Sequence, residues 1–111
     1  MLKRKKVGNT VIVYPEGRLD VTKSTELEEN VSKIIDEEGV RNIIMNLENV
    51  EYMSSSGFRV SISLLRKLKT LNGNLRLCNI RPSVKRIFDV IELTSLFEIY
   101  ENEDEALKGL N

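Results

Sequence analysis

The chain contains no histidine and no tryptophan, and only one cysteine and two prolines. Histidine is the usual general base near neutral pH and the commonest nitrogen ligand for metals. Its absence removes Ser-His-Asp and Cys-His catalysis, and most zinc sites with them, so the chain is not expected to be an enzyme. No spaced acidic loop of the EF-hand kind is present either, and neither a metal nor a cofactor is expected. The lone Cys78 allows no internal disulfide. The basic start, MLKRKKVGNTVIVYPEG, carries only VIVY as an apolar stretch, too short for a secretory signal. No run approaches the roughly 18 apolar residues of a membrane span. Together these absences predict a soluble, cytoplasmic protein.

What is present suits a single compact domain over residues 1–111, with 41% hydrophobic residues to build a core. The formal net charge is zero, but its distribution is uneven. Residues 52–90 hold eight Lys/Arg against one acid, Asp89, while residues 91–111 hold six acids against Lys108. Solvated helix faces are the plain explanation; a basic surface facing an acidic or phosphate-bearing partner is the sharper one. Nucleic acid is a poor candidate, because charge balances overall and no basic patch is interleaved with aromatics.

Along the chain, TVIVYPEG (10–17) reads as a strand stopped by Pro15 and Gly17, with LKRKKVG as an antiparallel partner across Gly8-Asn9. Leu27, Val31, Ile34 and Ile35 fall on one helical stripe. Thr25 with Glu28 has capping-box spacing, Thr22 is a second possible start, and Gly39 is a fitting C-cap. VRNIIMNL (40–47) predicts a strand covered on both faces. A helix follows from Phe58, through Ile62, Leu65, Leu68 and Leu71, until Asn72-Gly73. NLRLCNI (74–80) predicts a strand with Cys78 as a buried small hydrophobe. RPSVKRIFDVI is a helix with Val84, Ile87, Phe88 and Ile91 on one face, and Pro82 where its missing N–H costs nothing. LFEIY is a short strand, and NEDEALKGL a terminal helix capped by Asn102. The order β-β-α-β-α-β-α-β-α predicts an α/β fold with a mostly parallel sheet of about five strands and four helices.

Between strand and helix lies MSSSGF (53–58). One serine there is expected as an N-cap, and the carboxyl ends of parallel strands are where such sheets place working sites. Neither Gly-x-Ser-x-Gly nor GxxxxGK[ST] occurs, so a nucleophile elbow and a phosphate loop are both excluded. The remaining chemistry for a serine is to be modified. A phosphate adds about −1.5 to −2 charges at neutral pH, and a helix N-terminus tolerates it.

GRLDVTKSTEL, the strand ending MNL, the turn VEYMSSSG and NIRPSVKRIFDVIEL together resemble a STAS domain, most closely the bacterial anti-sigma-factor antagonists. The resemblance runs from about Val11 to Leu107, and the turn combined with RPSVKRIFDV is its most specific part. It implies a partner switch in transcription regulation. The unphosphorylated antagonist binds an anti-sigma factor that is also a serine kinase of the histidine-kinase-like ATPase fold, freeing a sigma factor. Phosphorylation of a turn serine ends the binding, and a PP2C-type phosphatase restores it.

In that family the turn usually reads Asp-Ser-[Ser/Ala/Thr]-Gly. Alignment on Gly57 implies Ser55 as the acceptor, with Ser54 and Ser56 as alternatives. Ser54 stands in the family's Asp position, and Asn46 where many members carry Asp. The implied partner surface comprises Asp20, Ser54, Ser55, Ser56, Gly57 and Arg59. Asp20 reads equally well as a capping aspartate, Phe58 as core, and Arg59 as the better contact. Two other functions are weighed. One is a STAS interaction module, without phosphorylation, in a signalling or transport complex. The other, a small nucleotide-binding enzyme using the basic residues of 59–86, is disfavoured by the missing histidine and phosphate loop.

Overall fold

The computed structural model describes residues 2–92 and 95–110. Met1, Thr94, Asn111 and Leu93, the last closing the family-like NIRPSVKRIFDVIEL run, lie outside the described residues. β1 (Lys3–Val7) and β2 (Thr10–Tyr14) form the expected hairpin, with Val7 opposite Thr10. From β2 the main sheet continues in parallel through β4 (Asn42–Asn46), β6 (Asn74–Cys78) and β7 (Glu98–Tyr100), in the order β1-β2-β4-β6-β7. The helices are α1 (Val21–Glu38), α2 (Ser55–Thr70), α3 (Pro82–Val90) and α4 (Glu103–Leu107). The expected α/β architecture is therefore present. In addition, β3 (Gly17–Leu19) and β5 (Val50–Met53) pair in parallel with each other, apart from the main sheet. At three and four residues they are too short to show the alternation by which a strand is read from sequence.

Side-chain alternation splits the main sheet into two apolar faces. Val11, Val13, Ile43, Met45, Leu75 and Leu77 join the larger core with the α1 and α2 stripes, while Ile12, Ile44 and Cys78 meet Ala106 of α4. Ile43, Ile44 and Met45 are completely buried, as the apolar centre of β4 requires. The α1 stripe of Leu27, Val31, Ile34 and Ile35 is buried, and Gly39 closes the helix with φ 68°. At its start the cap is Asp20, whose Oδ1 accepts from Lys23 N at 3.0 Å. Neither Thr22 nor Thr25 caps it; the Thr25 hydroxyl, already inside the helix, donates to Val21 O one turn back.

α4 is short but clamped at both ends. Asn102 caps it, Asn46 Nδ2 donates to Glu103 Oε2 at 2.7 Å, and Arg76 Nη1 donates to Ala106 O at 2.9 Å and Lys108 O at 2.7 Å. Asn46 Oδ1 also accepts from Glu48 N at 2.9 Å, satisfying backbone at the strand end. Under this helix, burial first and then the nearby Glu103 and Glu48 carboxylates push the Cys78 thiol up from 9.0 to about 12. Burial, followed by the Glu103 hydrogen bond, likewise raises Tyr14 from 10.0 to about 12. Between pH 9 and about 12 the folded chain keeps protons that the unfolded chain has lost. Their contribution is thus complete below pH 9 and declines as pH rises toward 12. Urea unfolding at stepped pH is expected to show this alkaline fall, with Cys78 unreactive to thiol reagents at pH 8 until the chain unfolds. A flat profile above pH 9 would contradict it.

Candidate functional site

β3 and β5 run side by side with Leu19 opposite Met53, so both end at one level, and each feeds a helix. Two helix N-termini, those of α1 after Asp20 and α2 after Ser54, consequently stand together. The Leu19 carbonyl between them accepts from Ser54 N at 3.0 Å, Ser54 Oγ at 2.7 Å and Ser24 Oγ at 3.3 Å. Ser54 Oγ in turn accepts from Gly57 N at 3.4 Å. Of the three serines, Ser54 is the cap, with its hydroxyl proton committed to Leu19. Ser54→Ala is expected to cost about 1 kcal/mol in urea unfolding, the usual worth of an N-cap; an unchanged midpoint would count against the capping role.

α2 starts at Ser55, three residues before the Phe58 that heads its apolar stripe. Ser55 is exposed and Ser56 half-buried, and neither hydroxyl is hydrogen-bonded among the described residues. Gly57 is needed for space. A Cβ there would lie 2.4 Å from Met53 Cγ and 3.4 Å from Leu19 Cβ, so glycine lets the first turn of α2 press onto both strands. Arg59, one turn beyond Ser55, is exposed. The structure thus gathers Asp20, Ser54, Ser55, Ser56, Gly57 and Arg59 at one end of the fold. The first turn of α2 carries no acidic residue, which leaves its dipole uncompensated.

Beside this turn a groove of about 920 Å³ runs between β5, α2 and α3. Met53, Phe58 and Val84 are its buried apolar lining, with Ser55 and Arg59 on its α2 side. Tyr52 also lines it, with the Arg18 guanidinium carbon 4.3 Å from its ring centroid. The one apolar face expected of Val84, Ile87, Phe88 and Ile91 is divided in its burial: Val84 and Phe88 are buried, while Ile87 and Ile91 are 43% and 46% exposed and line the groove. α3 is held through a narrow contact, with the Phe88 ring edge-on to Phe58 at 4.8 Å and to Phe97 at 5.7 Å. No described residue covers the adjoining stripe.

Sequence reading missed Tyr52, Arg66, Ile87 and Ile91 as parts of the site. The available signals were the seven-residue step from Arg59 to Arg66 and the four-residue step from Ile87 to Ile91, which put each pair on one helical face. Chemically, the assembly offers an exposed hydroxyl at a helix N-terminus, bordered by a largely apolar groove whose charged lining is Arg59 and Arg66 against one acid, Glu51.

The sheet order, the paired β3 and β5, and the serine-glycine turn opening α2 define an α/β domain of STAS type. The STAS domain family model matches residues 1–106, and the chain belongs to that family. It is 29% identical over 100 residues to the anti-sigma F factor antagonist of Paenibacillus polymyxa, covering 90% of this chain and 86% of that one. With the anti-sigma-B factor antagonist of Staphylococcus aureus it shares 32% over 88 residues, covering 79% and 81%. The unphosphorylated form of the anti-sigma factor antagonist SpoIIAA superposes with a TM-score of 0.84 at 26% identity, covering 99% of this chain and 96% of that one. The phosphorylated form of the Bacillus SpoIIAA gives 0.77 at 25% identity, with both chains covered completely.

Proposed function

We propose that this chain is an anti-sigma-factor antagonist whose docking surface is centred on Ser55. It binds a serine-kinase anti-sigma factor in the bacterial cytoplasm and so releases a sigma factor. Phosphorylation of Ser55 ends the binding, and a PP2C-type phosphatase restores it. The observation that carries the reading is the division of labour in the turn: Ser54 is consumed as the cap, while Ser55 presents an unbonded hydroxyl at the N-terminus of α2. A phosphate on Ser55 would sit at a helix end that favours anions, so the fold survives modification. Placed inside an interface, the same charge is unpaired and costs several kcal/mol, where about 1.4 kcal/mol is a tenfold change in affinity. The named relatives and the existence of SpoIIAA in a phosphorylated form support the reading.

The test is paired affinity capture from host lysate with wild type and Ser55→Asp as baits, followed by calorimetry on the captured partner. The expected result is a small ATPase-fold kinase with wild type only, an affinity loss on the order of 100-fold or more for Ser55→Asp, and unchanged thermal unfolding. Incubation of the pair with ATP should place one phosphate on Ser55 by mass spectrometry. Equal capture by both baits would overturn the switch. The neutral side chain at position 54 favours a second reading, a STAS docking module that is never phosphorylated; identical partners on both baits and no phosphate on Ser55 would establish it.

A further inference from the structure

The basic stretch of α2, β6 and α3 divides once its partners are assigned. Lys67 pairs with Asp36 at 2.9 Å, Lys69 Nζ donates to Asn74 Oδ1 at 3.0 Å, and Lys85 lies 4.0 Å from Asp89. Arg76 clamps α4, and Arg81 Nε donates to Glu48 O at 2.8 Å. Among the described residues Arg59, Arg66 and Arg86 make no ion pair or side-chain hydrogen bond. Two of these three, Arg59 and Arg66, border the apolar groove that reaches Ser55.

We propose that the groove between α2 and α3 receives an acidic amphipathic helix of a partner protein, its apolar side on Phe58, Ile62 and Ile87 and its carboxylates on Arg59 and Arg66. The proposal rests on the docking reading above and names the partner element for that site, since Ser55 lies at the same groove. Arg59 and Arg66 are seven residues apart, about 10.5 Å along the α2 axis. One carboxylate or phosphate head group does not span that distance, whereas acids two turns apart on a docked helix do. Phe58 and Ile62 on α2, and Ile87 on α3 with Ile91 at its C-cap, are each spaced by one turn, the ridge spacing that takes i, i+4 and i+7 anchors of a helix in a groove. A second copy of this chain is a poor occupant, because a self-complementary contact would bring the same unpaired arginines toward one another.

The experiment is a nuclear magnetic resonance titration of the isotope-labelled full chain with synthetic peptides. One peptide carries leucines at i, i+4 and i+7 with glutamates seven residues apart; its twin carries lysines in place of the glutamates. The acidic peptide is expected to give saturable shifts at the amides lining the groove and to bind roughly tenfold or more tightly than its twin. Arg59→Glu/Arg66→Glu should invert that preference, and Ile87→Glu, at an exposed position, should abolish both while retaining the wild-type unfolding midpoint. Equal binding of the twins, or no saturable shift with the acidic peptide, would overturn the proposal. Saturation by dodecanoate but not by peptide would overturn it too, assigning the groove to a small amphiphile. The titration involves neither Ser55 nor the captured kinase, so its failure leaves the phosphorylation switch standing, and failure of the switch leaves this result intact.

Discussion

Phe88→Ala is expected to destabilise the fold by about 3–5 kcal/mol, the usual cost of truncating a buried phenylalanine. A small domain has roughly 5–15 kcal/mol in total, so the loss is a large fraction of it. Phe88 is completely buried, and its ring meets Phe58 and Phe97 in two edge-on contacts. Together with the buried Val84, those contacts attach α3 to the core, while Ile87 and Ile91 stand in the groove. Urea unfolding of Phe88→Ala should show an earlier midpoint, and Phe88→Leu, which keeps most of the volume, a smaller shift. Any partner that uses the groove should also bind Phe88→Ala more weakly, since Phe58 loses the ring that backs it. A loss below about 1 kcal/mol would mean that α3 is held by something else.

Gly73→Ala is expected to be nearly as damaging, at about 3 kcal/mol, for a reason unrelated to glycine's flexibility. An added Cβ would lie 2.1 Å from Arg41 O, 3.0 Å from Arg41 C and 3.2 Å from Leu68 O. All three are backbone atoms, so no rotamer change relieves the clash. The position is pinned from both sides: Gly73 N donates to Leu68 O at 2.6 Å, and Asn74 N to Arg41 O at 2.9 Å. Making room therefore means moving the end of α2 away from the start of β4, or slipping the Asn42–Asn74 register of the central strands. Such overpacking typically costs about 1–3 kcal/mol and more where backbone must shift. Calorimetry should show a lowered Tm for Gly73→Ala; a Tm within experimental error of wild type would show that this junction relaxes freely.

The parts of this fold that could be read from sequence are those in which periodicity and burial agree. The middle of β4 is apolar without interruption because both of its faces are covered, and the α1 stripe recurs at helical spacing because only one side is. α4 announced itself through Asn102 and its acidic first turn. Reading failed where a pattern has two physical causes. Ile87 and Ile91 continue the stripe of Val84 and Phe88, and spacing alone does not say that α3 buries only half of it. Thr25 and Glu28 have capping-box spacing, yet the helix begins earlier, because β3 delivers Asp20 to the cap position. That short strand exists only through its pairing with β5, a tertiary fact with no local signature. The placement of the six candidate residues was nonetheless legible, since five of them lie at the two helix starts and Arg59 follows one turn later. Their division of roles, with Ser54 bonded and Ser55 not, needed the position of the Leu19 carbonyl.

The two faces of the sheet answer to different demands. On one, Asn46 and Arg76 are joined to α4 by hydrogen bonds, Asn46 through the Glu103 carboxylate, so exchanging any of these three side chains alone leaves a donor or acceptor stranded. On the other, Ser55, Arg59 and Ile87 are exposed, and substitutions there share no partner with the clamp. On the docking role proposed for the groove, one copy of a duplicated gene can acquire a new binding repertoire by drift there while inheriting its scaffold unaltered. Lineages of this domain should therefore diverge in what they recognise faster than in how they stand.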